Sequence, residues 1–298
     1  MVILACVLGA LAIVAGAFAR AAGSPTNVFT DPTGDTVGLS PDITGIDYST
    51  TGAGFVTFHV AAALADGSDT FVVLYIDQDD NLATGSYAPD SAGADVFVEY
   101  DHLANQYDTE RWDATARKWS EVTLGSDFSI SSDEDGVTIG IDRKDLGDAT
   151  HAKVSVFTGA WDASVGAIRQ ESDGSLDVDW APDDGGYDVD LSPLTLHADQ
   201  QTHTAAKAGK RFSVSLAALR SDSGQYVSTV AGQVACTLTV GGKHVYPASP
   251  PGVLPGSVPA ARCTWQLGKK TKGKALTAVI TVSVDGASLS ERYSTKVH

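Results

Sequence analysis

The sequence predicts an all-β chain of two antiparallel β-sandwich domains, and three observations carry that expectation. Short apolar or alternating runs recur at close intervals, each bounded by Gly, Asp, Asn or Pro, which is the rhythm of strands and turns. Helical periodicity is almost absent, as in sandwiches. The charge also reverses along the chain. Residues 24–191 hold 33 Asp and Glu against 7 Lys and Arg, a net −26, whereas 192–298 hold 4 against 12, a net +8. In a chain of 298 residues, long for one ordinary sandwich, that reversal places a boundary at Ser192-Pro193. An acidic domain over 24–191 and a basic one over 193–298 follow, with little expected to connect their cores.

The acidic part carries 28 Asp but 5 Glu. Asp suits turns and ligating loops, whereas acidic helices favour Glu. Such a surface repels nucleic acid and anionic lipid, which excludes both as partners of this part. A hydrated acidic surface of the halophilic kind accounts for the composition equally well.

From the start, residues 2–19 are almost wholly apolar, and Ala17-Phe18-Ala19 and Ala19-Arg20-Ala21 both fit small-x-small cleavage. Residues 1–21 read as a secretory signal peptide, either cleaved or kept as an anchor. Cys6 precedes most of the apolar run, the reverse of a lipoprotein box. No other stretch is long and apolar enough to span a bilayer, so a secreted or cell-surface location is expected, without a membrane span once the signal is removed. Cys236 and Cys263 then remain, and in an exported chain they are most simply a disulfide.

Next comes a turn-rich stretch with Asp31, Asp35 and Asp42 closely spaced. Strands are expected over 43–49 and 54–62, the second burying Val56, Phe58 and Val60 and turning His59 outward. Further strands are 107–112 and 118–124, paired as a hairpin, then 128–131, 137–141 and 153–161, with one helical turn over 142–146.

The most informative stretch is 71–100. Phe71 to Ile76 is an apolar, β-branched and aromatic run that suits a buried strand. It ends in Asp77, Asp79, Asp80 and Asn81, then Thr84-Gly85 turns the chain, and a second strand over 94–100 opens on Asp95. Two strands that deliver Asp77, Asp79, Asn81 and Asp95 to one edge make a site for a hard cation, and calcium fits such oxygen ligands. Short polar side chains that merely cap a turn are the competing reading. The stretch is no EF-hand: counted from Asp77, Leu82 stands sixth where Gly is needed and Ala88 twelfth where Glu is needed. Asp177 and Asp179, with Asp183 after Pro182, form a second and weaker oxygen cluster, or else a polar loop with a stacked Trp.

Taken together, Asp31-Pro32-x-Gly34-Asp35, Pro41-Asp42-Ile43, Ile76-Asp77-x-Asp79-x-Asn81-x-x-Thr84-Gly85, Gly93-x-Asp95 and Ala181-Pro182-Asp183 resemble the family 9 carbohydrate-binding-module-like (DOMON-like) sandwiches. The match runs over residues 27–191. The resemblance implies a jelly-roll-type sandwich of exported multidomain proteins, often with bound calcium. In sugar-binding members it implies a sugar stacked between two exposed aromatics. Some DOMON-like domains hold haem through Met and His, but the single methionine here is Met1, which excludes a Met-ligated haem by composition.

The basic part is strand-like over 211–219, over 233–240 with Cys236, Leu238 and Val240 on one face, and over 262–267 with Cys263 and Trp265 on one face. Strands over 275–284 and 288–297 flank Asp285-Gly286, a hairpin dipeptide. A disulfide with a Trp beside it in about a hundred residues resembles a bacterial immunoglobulin-like domain, although the Cys spacing is short for an antibody-type pair. Lys269, Lys270, Lys272 and Lys274 read as a solvated turn, or as a contact for the acidic part or an anionic cell-wall polymer.

The sequence holds no Gly-x-Ser-x-Gly elbow, no His-Glu-x-x-His helix and no glycine-rich phosphate loop. With 33 acids in one part, any pair of carboxylates is too common to mark a glycosidase. Trp112 and Trp119 flank a hairpin turn, where a sugar ring can stack on them or where they pack across the strands. The expected function is that of an exported, non-catalytic binding or display protein with calcium as cofactor and an extracellular glycan or cell-wall polymer as partner. A purely structural surface module with no ligand beyond the metal is the rival.

Overall fold

A computed structural model describes residues 27–36, 38–65, 67–86, 93–183, 185–228, 233–254 and 258–298. The signal peptide expected over 1–21 lies outside the described residues.

The chain is all-β. Strands β1 (Asn27–Thr30), β2 (Ile43–Thr50) and β3 (Phe55–Ala62) open one sheet. The chain then crosses to a second for β4 (Thr70–Asp77), β5 (Val96–Asp101), β6 (Gln106–Asp113) and β7 (Lys118–Glu121). It returns for β8 (Ser129–Asp133) and β9 (Gly136–Asp142), and crosses again for β10 (His151–Asp162), β11 (Ala167–Ile168), β12 (Val178–Ala181) and β13 (Tyr187–Asp190). The first sheet runs β1-β2-β3-β9-β8; the second runs β11-β10-β4-β5-β6-β7, with β12 and β13 both paired to β10.

Alternation drives the packing. Val56, Phe58 and Val60 of β3 and Val137, Ile139 and Ile141 of β9 meet Val72, Leu74 and Ile76 of β4 and Val96 and Val98 of β5 in one core. His59 lies on the opposite face of β3, its Nδ1 3.5 Å from Asp47 Oδ2. Between β9 and β10 the expected helical turn forms at Arg143–Leu146, capped where Asp142 accepts from the Lys144 N–H and closed by Gly147 at φ 65°.

β4 is central in its sheet and is buried on both faces, which is why its sequence reads as an unbroken apolar run. Phe71 and Val73 point away from the main core and join Phe157 in a second buried cluster.

The remaining strands are β14 (Leu196–His203), β15 (Arg211–Arg220), β16 (Val234–Val240), β17 (Lys243–His244), β18 (Gly252–Leu254), β19 (Ala260–Gln266), β20 (Ala275–Val284) and β21 (Ala287–Lys296). They form two sheets, β14-β15-β19-β18 and β17-β16-β20-β21. With the short β17 set aside, this is the constant-type immunoglobulin order: first, second, fifth and fourth strands opposite third, sixth and seventh. Phe212, Leu238, Trp265 and Ile280 fill the space between the sheets. Asp285 and Gly286 turn β20 into β21 with φ of 47° and 77°, the left-handed pair that a two-residue hairpin demands.

The disulfide forms between Cys236 on β16 and Cys263 on β19, with Cα atoms 5.9 Å apart. It joins third and fifth strands, whereas antibody domains join second and sixth. The sequence separation of 27 is short because those strands are near neighbours along the chain. Trp265, two residues on, is fully buried beside Phe212.

The cores of the two halves are separate clusters, and two backbone hydrogen bonds join the halves at the surface. The Leu194 N–H donates to Thr51 O at 3.1 Å and the Gly52 N–H to Asp285 O at 2.8 Å. The turn between β2 and β3 thus sits on the β20–β21 hairpin, a contact between segments far apart in sequence.

Candidate functional site

Carboxylate oxygens of Asp77, Asp79 and Asp95 lie within 4.8 Å of one another. β4 ends at Asp77 and β5 begins just after Asp95, so neighbouring antiparallel strands bring them together. The described segments on either side of residues 87–92 meet: Gly93 N–H donates to Ser86 O and Ser86 N–H to Ala94 O, both at 2.9 Å. A Cβ on Gly85 would overlap the Gly93 carbonyl, and one on Gly93 (φ 85°) would lie 2.6 Å from Asp77 Oδ2. The Thr84-Gly85 and Gly93-x-Asp95 elements of the sequence therefore exist because backbone must pass close to backbone and to this carboxylate.

Within the site, Asp77 Oδ1 accepts from the N–H groups of Asp79 (3.2 Å) and Asn81 (3.4 Å). Asp95 Oδ2 accepts from the Gln78 N–H at 2.9 Å, and the Thr84 hydroxyl donates to both oxygens of Asp79 at 3.0 and 2.9 Å. Asp77 is buried, and its Oδ2 has no hydrogen-bond partner among the described residues. Burial pushes the Asp77 carboxyl above the usual range, and burial with the Asp79 and Asp77 charges does the same to Asp95. Neighbouring Asp80 is neutralised instead, with Lys153 Nζ 2.6 Å from its Oδ1. Three converging carboxylates, Asp77 buried, Asp95 partly buried and Asp79 exposed, with the Arg111 charge opposing only part of the repulsion at Asp95, suit a hard divalent cation.

Asn81 behaves differently from the three aspartates. Its Oδ1 accepts from the Ala83 N–H at 3.1 Å, an Asx turn of the kind the bland reading describes. A groove of about 350 Å³ opens beside the site, lined by Asp79, Asp95, Arg111 and Trp112 among others.

Trp112 and Trp119 stand directly opposite across β6 and β7, ring centroids 5.4 Å apart and planes at 69°. They pack on each other, as cross-strand pairs do, and both are partly buried. What the sequence did not reveal is the continuation. Trp119 meets Phe97 (4.9 Å), Phe97 meets Tyr75 (6.0 Å), and Tyr75 stacks with Trp180 (6.2 Å). Trp180 stacks with Phe157 (4.2 Å), which touches Phe71 (5.4 Å), which touches Trp161 (5.1 Å). Eight rings cross β7, β6, β5, β4, β10 and β12 on the face away from the main core. The signal was present as aromatics at the odd positions of β4 and β5, but only the strand order lines them up.

The second cluster also gains members. Asp179 on β12 lies with Asp31, just past β1, and Asp35, their oxygens within 4.8 Å. Asp177 is not among them. It is fully buried, its Oδ1 accepts the Ser40 N–H at 2.6 Å, and Arg169 Nε lies 3.7 Å from its Oδ2. Asp179 accepts the Ile43 N–H (2.6 Å) and the Trp180 N–H (3.0 Å). Burial, opposed by the Tyr187 hydrogen bond and reinforced by Asp179 and Asp35, lifts the Asp31 carboxyl to about 6.

Fold and site together define an all-β, disulfide-bonded protein of antiparallel sandwiches with carboxylate clusters at the strand ends. No protein-family model and no curated protein matches the sequence. Among solved structures, the chain is similar to a marsupial T cell receptor at 10% identity and a TM-score of 0.27, over 82% of this chain and 92% of that one. A score so low bears on neither architecture nor function. Among the described residues, no helix is long and apolar enough to cross a membrane.

Proposed function

We propose that the protein is an exported, non-catalytic binding protein whose aromatic sheet face takes a carbohydrate and whose acidic sandwich is stabilised by calcium. The observation that carries this reading is the row of eight rings on the second sheet, outside the main core. Sugar rings present flat C–H faces that stack on aromatic planes, while their hydroxyls need hydrogen-bonding groups nearby. Asp79, Asp95 and Arg111 stand at one end of the row, beside Trp112. The test is binding of the full chain to a broad panel of polysaccharides in calcium. Trp119→Ala is expected to weaken the interaction by about tenfold, the worth of one lost stacking contact. Silence across the panel from a folded chain would overturn the carbohydrate reading.

Calcium is assigned to Asp77, Asp79 and Asp95, with Asn81 beside them. The support is the buried, unpartnered Asp77 Oδ2 at the meeting point of three carboxylates. At ~1 mM free calcium and a Kd of ~0.1 mM, the ion stabilises the fold by about 1.4 kcal/mol. That raises the melting temperature by roughly 3–5 °C. Asp79→Ala is expected to lose the shift. Asp133→Ala is expected to keep it, because Asp133 merely accepts the Asp135 N–H in an exposed turn. Magnesium should substitute poorly in so irregular a site.

A second reading is a purely structural surface module. Its support is that Phe71, Val73 and Phe157 are already buried and that Trp112 and Trp119 pack on each other. A calcium-dependent melt without any glycan binding would select it.

A further inference from the structure

We infer that Asp31, Asp35 and Asp179 form a second calcium site, separate from the Asp77 site and joining the two sheets of the acidic half. Asp31 follows β1 in the first sheet, and Asp179 lies on β12 in the second. Their carboxylates converge with that of Asp35 within 4.8 Å.

The cluster alone would mean little, since acidic groups gather on many surfaces. A second observation singles it out: Asp31 is 7% exposed, and its Oδ2, sealed from solvent, has no hydrogen-bond partner among the described residues. Its Oδ1 is used, accepting from the Tyr187 hydroxyl at 3.1 Å. Tyr187 is itself fixed by stacking on Phe29, centroids 4.6 Å apart, so the carboxylate cannot swing out to water without losing this well-placed donor. A buried anionic oxygen with no donor is costly to leave unmade. No Lys or Arg pairs with Asp31, Asp35 or Asp179 among the described residues. The fitting occupant is therefore a cation from solution.

Both oxygens of Asp179 already accept one backbone N–H each, but a carboxylate oxygen has a further lone pair to offer a metal. Asp42 is engaged nearby, accepting the Gly34 N–H at 2.9 and 3.1 Å, and holds the loop in which Asp35 sits. An all-oxygen set of carboxylates from loop and strand, with no nitrogen or sulfur ligand, selects calcium over zinc. Its irregular, partly open form disfavours the tight octahedron of magnesium. Bound there, calcium locks the 31–42 loop onto β12.

Equilibrium dialysis of the full chain against calcium tests the assignment by counting ions. The expected result is two ions per wild-type chain and one in each of the Asp31→Asn, Asp35→Asn and Asp77→Asn chains. Asp35 is exposed, so Asp35→Asn keeps the count interpretable should Asp31→Asn fail to fold. The double variant Asp35→Asn/Asp77→Asn is expected to bind none. An ion lost in Asp35→Asn but kept in Asp77→Asn would support this site and defeat the other. A wild-type count unchanged in both Asp31→Asn and Asp35→Asn would overturn it, as would a wild-type chain that binds none.

Discussion

Glu99 shows how one residue carries the strain of the acidic half. On β5 it stands directly opposite Asp108 of β6, like charge facing like charge. Burial first, then the Asp108, Asp101 and Glu110 charges, push its carboxyl above the usual range. A carboxyl raised in the folded state favours folding fully only below its unfolded value of 4.5, and that contribution is lost as pH rises through the folded value. Glu99→Gln is therefore expected to raise the melting temperature at pH 7 and to have no effect at pH 4. An equal gain at both pH values would show that charge is not the cause. Asp77, Asp79 and Asp95 were legible in the sequence because adjoining strands hold them. Asp31 and Asp179 were not joined beforehand, because their meeting depends on how the loop before β2 folds over β12.

At the scale of single elements, the disulfide tests the basic half. Cys263 is fully buried and Cys236 partly so, so neither should react with an alkylating reagent until the protein is unfolded and reduced. Replacing both by Ser is expected to cost about 3.5 kcal/mol, the loop-closure value for a 27-residue separation, read as the shift in a urea midpoint. Free thiol in the native chain would contradict the pairing. The paired hairpin strands β6–β7 and β20–β21 were readable from alternation and turn dipeptides. β14 was not: all of it after Leu196 is exposed, and it bulges between Ala198 and Gln200, so no apolar face announces it.

For the whole molecule, the joint between the halves is the feature to probe. Arg220 is 2% exposed, and it meets Asp222 through Nε (2.9 Å) and Nη2 (2.7 Å) and Asp285 through Nη1 (2.6 Å). That network braces the hairpin on which Gly52 rests. A Cβ at Gly52 would lie 2.6 Å from the Ala287 nitrogen and the Gly286 carbonyl carbon, so the backbones must part to admit it. Gly52→Ala is expected to cost roughly 1–3 kcal/mol, as overpacking does. Calorimetry should then show the acidic half melting apart from the basic half. An unchanged melting profile would mean that the contact contributes nothing to the coupling.

By itself, the sequence determined the β class, the reversal of charge at Ser192-Pro193, the main buried strands and the carboxylates at the end of β4. Those features are local. Alternation, turn residues and adjacent strands act over a few residues, and their signals survive in a linear string. Tertiary structure alone decided which strands of the disulfide are bridged, that eight rings form one row, that Asp31 meets Asp179, and that Gly52 presses on the β20–β21 hairpin. Each of these depends on strand order or on a loop crossing between sheets, and such contacts are set by how the cores close.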